Sequence, residues 1–141
     1  MDYKISNKIA YLHKILCQTE KIYYSFLNSQ EITDSEYVLL FSVLQLGEGC
    51  SQKDIADNTY ISRKTLNSTV KKMQQEGIIK LEPGKYPNMH IYLTQKGKKY
   101  IEEKMIPIMK MEEKILEEIR EEDFNYFSSI IEKCVEKLEN V

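Results

Sequence analysis

A row of polar and basic side chains near the middle of the chain has the chemistry to bind nucleic acid. Arg63, Lys64 and Lys71 can bind guanine edges or phosphates, and Asn67 can bind an adenine edge. Serine and threonine hydroxyls interleaved with them can donate to phosphate. No acidic residue interrupts the row before Glu76. A solvated helix face is the alternative interpretation, but such faces usually mix charges of both signs.

The apolar residues within this row predict that it lies on a helix. Leu66, Thr69, Val70 and Met73 are spaced i, i+3, i+4 and i+7, which indicates one buried face. Ser62 is the predicted N-cap, and Gly77 ends the helix at about Glu76. The polar row therefore occupies the face that the core does not use.

A shorter helix is predicted just before it, over roughly Gln52 to Asn58. Ser51 is its N-cap, Asp54 follows three residues later, and Ile55 and Ala56 are its core contacts. A tight connection with one apolar anchor, Ile61, joins the two helices. A helix that braces and a second helix that presents its free face is the arrangement that reads the major groove.

The period of the sequence then changes to that of a hairpin. Ile78–Leu81 and Met89–Leu93 read as strands, separated by a turn rich in proline and glycine at Glu82–Asn88. The chain is thus predicted to be mainly α with a small β-hairpin, a winged helix-turn-helix core between N- and C-terminal helices.

The flanking helices have wide apolar faces. The first is predicted over Tyr3–Asn28, and a capping box of Thr33 and Glu36 begins the next, which Gly47 ends. After the hairpin, Thr94 caps a long helix to about Arg120 that Pro107 should kink or break. A last helix from about Glu121 carries the stripe Phe124, Phe127, Ile131, Cys134, Leu138 and Val141. Stripes of this width predict an interface with a second chain, the alternative being packing within one chain.

Charge is distributed unevenly along the 141 residues, although the net charge is only −2. Residues 51–100 carry 10 basic and 4 acidic side chains, whereas residues 101–141 carry 6 basic and 12 acidic ones. A basic middle between acidic flanks is typical of a fold in which one part meets phosphate.

Other features exclude several classes. No apolar run is long enough for a membrane span, and the N-terminus lacks a signal-peptide pattern, so we expect a cytoplasmic protein. Three scattered cysteines fit reduced thiols. With two histidines in unsuitable spacing, and without a nucleophile–base pair or phosphate loop, neither a metal, a cofactor nor an enzymatic activity is expected.

Four segments in order resemble the MarR family of transcriptional regulators. They are residues 51–56 (SQKDIA), 61–66 (ISRKTL), 75–79 (QEGII) and 93–97 (LTQKG). The resemblance covers about Thr33 to Tyr100, and the flanking helices match in length and placement. It implies one domain over 1–141, with a winged-helix DNA-binding lobe at 33–100 and helical dimerisation regions at 1–28 and 101–141. It further implies a homodimeric repressor on a pseudo-palindromic double-stranded operator.

The candidate DNA-binding residues follow from the two helices and the wing. They are Ser51, Gln52, Lys53, Ser62, Arg63, Lys64, Thr65, Asn67, Ser68, Lys71 and Lys72, with Lys85 and His90 on the wing. One departure from the family concerns the wing, where many members have an acidic residue followed by an arginine that reaches the minor groove. Residues 84–90 contain no arginine.

The resemblance also implies control of DNA affinity by a small aromatic or phenolic ligand. Tyr11, Tyr23, Tyr24 and Tyr37 are the candidates for lining its site, with core and interface packing as the alternative. Two other readings stay open, a winged-helix module that binds protein and a thiol-based redox sensor. For the sensor, Cys17 lies on the first helix, Cys134 on an apolar stripe, and Cys50 just before an N-cap that could lower its pKa.

Overall fold

Helices form wherever the sequence supplies both a cap and an apolar period. The computed structural model describes residues 4–84 and 89–141. In this part of the chain the helices and strands are α1 Asn7–Ser29, α2 Asp34–Leu46, α3 Gln52–Asp57, α4 Arg63–Gln75, β1 Ile79–Pro83, β2 Met89–Leu93, α5 Gln95–Tyr100, α6 Ile106–Glu117 and α7 Glu121–Glu139. The mainly helical winged helix-turn-helix fold predicted from the sequence is confirmed.

Capping side chains set most helix starts. Thr33 accepts from the Glu36 amide while Glu36 accepts from the Thr33 amide at 2.8 Å, which completes the predicted capping box. Ser51 and Asp54 form a second box at α3, and Ser62 and Thr94 cap α4 and α5. Each cap satisfies amides that the first turn of a helix leaves without partners. At the end of α4, Gly77 adopts φ +70°, a conformation that glycine accepts without strain.

The hairpin pairs β1 and β2 in antiparallel register, with Ile79 opposite Leu93 and Leu81 opposite Ile91. The segment before α3 continues the pairing on the other side of β2. Gly49 donates to the Ile91 carbonyl at 2.7 Å, and Ile91 donates to the Cys50 carbonyl at 2.9 Å. These bonds fix the start of α3 against the hairpin.

One core lies beneath α2, α3, α4 and the hairpin. The predicted stripe of α4 is buried throughout, as are Ile55 and the turn residue Ile61, while Ala56 is half-buried. The largest fully buried side chains include Leu39, Leu40, Leu66, Met73, Ile78 and Ile91. Burial of apolar side chains is the dominant favourable term in folding, so this core positions the polar face of α4.

The single long helix predicted after Thr94 is interrupted. A π-helical turn, Ile101–Met105, follows α5, and the Ile106 amide donates to the Ile101 carbonyl in the i to i−5 pattern. Pro107 lies directly after this turn, near the start of α6. Proline has no backbone N–H and its ring clashes with the preceding turn. The widened π-helical turn therefore accommodates Pro107 at the place where the sequence predicted a kink or a break.

The chain divides into two compact units, Met1–Ile106 and Pro107–Val141. In the first unit, Leu27 is the buried residue of α1 among those described. In the second unit, no described residue of α7 is buried. The helices described contain no stretch that is both long and apolar enough to span a membrane.

Candidate nucleic-acid interface

α3 and α4 form the predicted helix pair, joined by a turn at residues 58–62. Helix α4 begins at Arg63, whose predecessor Ser62 accepts from the Thr65 amide at 3.1 Å. Asn58 ends α3, and the buried Ile61 anchors the turn. The two helices therefore hold a fixed geometry, as a pair that docks on a duplex requires.

The outer face of α4 carries the predicted polar row. Arg63, Lys64, Asn67, Ser68 and Lys71 are all exposed. Within residues 4–84 and 89–141, no carboxylate pairs with Lys64 or Lys71. These ammonium groups can therefore bind phosphate without first breaking an ion pair within the described residues.

A shallow cleft of about 300 Å³ lies between the two helices on this side. It is lined by Gln52, Lys53, Ala56, Arg63, Leu66 and Asn67. Four of these six side chains are predicted DNA-binding residues, so the fold brings the predictions from α3 and α4 onto one surface. We call the exposed residues of α4 together with Gln52 and Lys53 the α3–α4 surface.

An acidic side chain on this surface was missed by the sequence analysis. Asp57 accepts from Lys53 at 2.6 Å, and its other oxygen lies 3.9 Å from the guanidinium of Arg63. The hydrogen bond that Lys53 donates to Asp57, and the charge of Asp57, raise the pKa of Lys53. The i,i+4 spacing of Lys53 and Asp57 was the signal available in the sequence. Asp57 holds two of the cations that phosphate would otherwise attract.

Lys72, another predicted DNA-binding residue, points to a different partner. Its ammonium pairs with Glu36 of α2, whose side chain is 4% exposed. Burial raises the pKa of Glu36, but hydrogen bonds from Lys72 and from the Thr33 amide outweigh it and bring the pKa below its usual value. Lys72 therefore stabilises the contact between α2 and α4, and its role in binding DNA stays a prediction.

The remaining hydroxyls and polar groups have local partners. Ser51 donates to Asp54 at 2.8 Å, and the hydrogen bonds from Ser51 lower the pKa of that carboxyl. The Ser62 and Thr65 hydroxyls lie 2.9 Å apart, and Ser68 donates to the Thr65 carbonyl. Ser51 is buried, whereas Ser62, Thr65 and Ser68 are exposed and can meet a phosphate at the first turns of α4.

On the wing, His90 is half-buried and pairs with Ser51 through a β-bridge. A smaller electrostatic contribution from His90 adds to the lowering of the pKa of Asp54 by Ser51. His90 thus lies on β2 opposite Glu82, beside the start of α3. Lys85 lies outside the described residues.

Three of the four tyrosines proposed as a ligand site lie near one another, whereas Tyr11 lies apart from them. Tyr23 and Tyr24 line a cleft of about 330 Å³ with Thr19, Glu20, Asp34 and Tyr60. Tyr37 is buried and meets Tyr23 edge-on, with ring centroids 5.8 Å apart. Tyr11 is exposed, and 12 residues of helix place it about 18 Å along α1 from Tyr23. Tyr60, which completes the cleft, was missed because only the tertiary fold brings its turn to α1.

Burial contradicts one expectation about the cysteines. Cys50 is 8% exposed, and its pKa is raised, first by burial and then by the charge of Asp54, rather than lowered by the start of α3. Cys134 lies on the apolar stripe of α7 but is exposed. Cys17 on α1 is exposed as well. Cys50 consequently lacks the low pKa that a redox-sensing thiol needs.

Comparison with known proteins agrees with this geometry. A family model described as winged helix-turn-helix DNA-binding matches residues 40–80. This range contains α3, α4 and the turn between them. No curated protein matches the chain by sequence.

Solved structures match over nearly the whole chain. A MarR family regulator from Neisseria meningitidis superposes with a TM-score of 0.82 at 15% identity, covering 96% of each chain. The PcaV regulator from Streptomyces coelicolor, in complex with its natural ligand, gives 0.73 at 14% identity, covering 95% of this chain and 98% of the other. MepR from Staphylococcus aureus, in complex with DNA, gives 0.71 at 19% identity, covering 96% and 99%.

Proposed function

Because the chain has the fold of the MarR family of regulators, we propose that it is a transcriptional regulator that binds a specific double-stranded DNA sequence. Helix α4 is its recognition helix, and the α3–α4 surface meets the major groove. The relatives named above are regulators, and MepR has been seen on DNA. On this reading the protein is a cytoplasmic regulator and not an enzyme.

One observation carries the proposal. The exposed face of α4 combines three basic side chains with Asn67 and Ser68, and Lys64 and Lys71 have no ion-pair partner among the described residues. A face kept only for solubility needs no such excess of one charge. Basic groups next to an amide suit phosphate and base edges together.

Exposed apolar faces support a homodimer. On α1, Ile9, Leu12, Leu16 and Ile22 are between 47% and 58% exposed. On α7, Phe124, Phe127, Ile131, Val135 and Leu138 are between 46% and 73% exposed. Apolar patches of this extent on a monomer mark interaction surfaces. Two copies would present two recognition helices, as a pseudo-palindromic operator requires.

The wing makes a smaller contribution in this proposal than in many family members. His90 lies opposite Glu82 near the turn end of the hairpin, and no arginine is present in residues 84–90. Specificity therefore rests mainly on α4. Control by a small-molecule ligand is the remaining part of the proposal, and PcaV supplies the precedent among proteins of this fold.

Selection of bound duplexes from a random DNA pool is the direct test. The expected product is a palindrome whose half-sites are centred about 10 base pairs apart, with affinity that falls steeply as salt rises. A matched selection with the Arg63→Ala, Lys64→Ala double variant should lose the consensus. Absence of DNA binding by the unmodified protein at low salt would contradict the proposal and favour a module that binds protein.

A further inference from the structure

The cleft between α1, the start of α2 and the α3–α4 turn is lined by acidic and aromatic side chains. Glu20 and Asp34 supply two carboxylates, and Tyr23, Tyr24 and Tyr60 supply three aromatic rings. No lysine, arginine or histidine is among the described residues that line it. We propose that this cleft, the tyrosine–carboxylate cleft, binds a small organic cation rather than an anionic phenol or aromatic acid.

The size and shape of the cleft fit a small ligand. Its volume of about 330 Å³ falls at the lower end of the range for ligand pockets, roughly 300–1,000 Å³. From this volume we expect the cleft to admit a single-ring compound carrying a quaternary ammonium group. Ammonium groups are bound by tyrosine faces and neighbouring carboxylates, whereas a carboxylate ligand would be repelled by Glu20 and Asp34.

The charges near Tyr60 are consistent with this choice. The pKa of Tyr60 is raised to about 12, first by partial desolvation, then by the hydrogen bond to Asp34 and the charges of Asp34, Tyr24 and Glu20, although the residue as a whole is 76% exposed. No basic side chain contributes to that shift. The two carboxylates therefore have no basic side chain beside them among the described residues that line the cleft.

Tyr60 also connects the cleft to the recognition helix. Its hydroxyl donates to both oxygens of Asp34, at 2.9 and 3.0 Å, from a position three residues before Arg63. A cation that pairs with Asp34 competes for the oxygens that accept this bond. Binding therefore loosens the turn that holds the start of α4. This second step rests on the proposed function, whereas cation binding itself does not.

The test of the first step uses the full chain without DNA. Phenyltrimethylammonium is the cationic probe, and benzoate is an anion of similar size. Calorimetry or tyrosine fluorescence, which is unobstructed because the chain has no tryptophan, should show the cation binding at least tenfold more tightly than benzoate. Equal affinity, or tighter binding of benzoate, would overturn the proposal.

Variants locate the site. Glu20→Gln and Asp34→Asn should each weaken binding of the cation about tenfold, while Glu102→Gln, an exposed carboxylate outside the cleft, should change nothing. Thermal unfolding of each variant checks that the fold is kept. If both cleft variants bind the cation as well as the unmodified protein does, it sits elsewhere and the proposal fails.

The second step is measured on DNA. Phenyltrimethylammonium should lower the affinity of the unmodified protein for the selected duplex several-fold. The Tyr60→Phe variant, which lacks the bond to Asp34, should still bind the cation but show no such shift. A shift of the same size in Tyr60→Phe would overturn the coupling through Tyr60, and failure of DNA binding without the cation would count against the proposed function alone.

Discussion

The ammonium of Lys72 on α4 pairs with the carboxylate of Glu36 on α2, 36 residues away and almost fully buried. Lys71, the preceding residue, is exposed and has no carboxylate partner among the described residues. Two adjacent lysines on one helix thus have separate tasks. Lys72 supports the packing of α4, and Lys71 is available to the ligand of the α3–α4 surface.

The first prediction separates these two lysines by stability. Lys72→Met should lower the free energy of unfolding by about 1–2 kcal/mol, less than the 3–5 kcal/mol typical of a fully buried pair because Lys72 is half exposed. Lys71→Met should leave it within about 0.5 kcal/mol of the unmodified value. Urea unfolding at neutral pH gives both numbers. Equal losses in the two variants would contradict the assignment.

The same pair predicts a dependence on pH. The pKa of Glu36 is lower in the folded chain than its ordinary value of 4.5, so Glu36 binds protons more readily when unfolded. Its stabilising contribution is therefore complete above about pH 4.5 and is lost as the pH falls through the folded pKa. Lys72→Met should flatten this decline in urea titrations between pH 6 and pH 3. A decline of unchanged steepness would assign the effect to other carboxylates.

For DNA binding we expect the opposite ranking, with a larger effect from substitution of Lys71 than from substitution of Lys72. Lys71→Met should weaken duplex binding and reduce the slope of log affinity against log salt by roughly 2 per dimer, because each protomer loses one phosphate contact. Lys72→Met should change the slope less. Fluorescence anisotropy over a series of salt concentrations measures both. If Lys72→Met loses more DNA affinity than Lys71→Met after correction for its lower stability, Lys72 contacts DNA directly and the assignment is wrong.

Arg63 and Asp57 give a prediction in the opposite direction. Asp57→Asn removes an anion that holds Lys53 and Arg63, so duplex affinity should rise roughly three- to tenfold, the range expected for one surface charge in each protomer. Asp123→Asn, which loses a comparable surface pair with Arg120 outside the α3–α4 surface, is the control. Weaker binding by Asp57→Asn would mean that Asp57 positions Arg63 for base contact.

The apolar faces of α1 and α7 predict the assembly. Leu12→Glu and Phe127→Glu should each shift the protein from dimer to monomer in sedimentation experiments and weaken operator binding, because a charge is costly inside an apolar interface. Lys14→Glu on α1 is the control for added negative charge. A monomeric unmodified protein would contradict the dimer.

Local signals predicted the fold well, and long-range contacts account for what was missed. The caps at Thr33, Ser51, Ser62 and Thr94 depend on residues three positions apart, so the sequence displays them directly. The position of Lys72 on α4 gave no sign of Glu36. Contacts between distant segments are set by packing, which periodicity does not specify.

Contacts between distant segments also explain why the pKa of Cys50 and the full lining of the tyrosine–carboxylate cleft were not predicted. The start of α3 alone favours a low pKa at Cys50, but pairing of this segment with β2 buries the thiol. Tyrosines on α1 and α2 were visible as candidates, yet Tyr60 and Asp34 meet only in the folded chain. The exposed side chains of α4 were predictable because its buried period leaves one face free.

The cap at Ser62 and the buried stripe of α4 have a consequence for redesign. The stripe and the cap hold the helix, while Arg63, Lys64, Asn67, Ser68 and Lys71 lie outside the core. We therefore expect that these five residues can be substituted together without disturbing the fold. Transplanting the matching residues of another winged-helix protein should reprogram which operator is chosen and leave the melting temperature nearly unchanged.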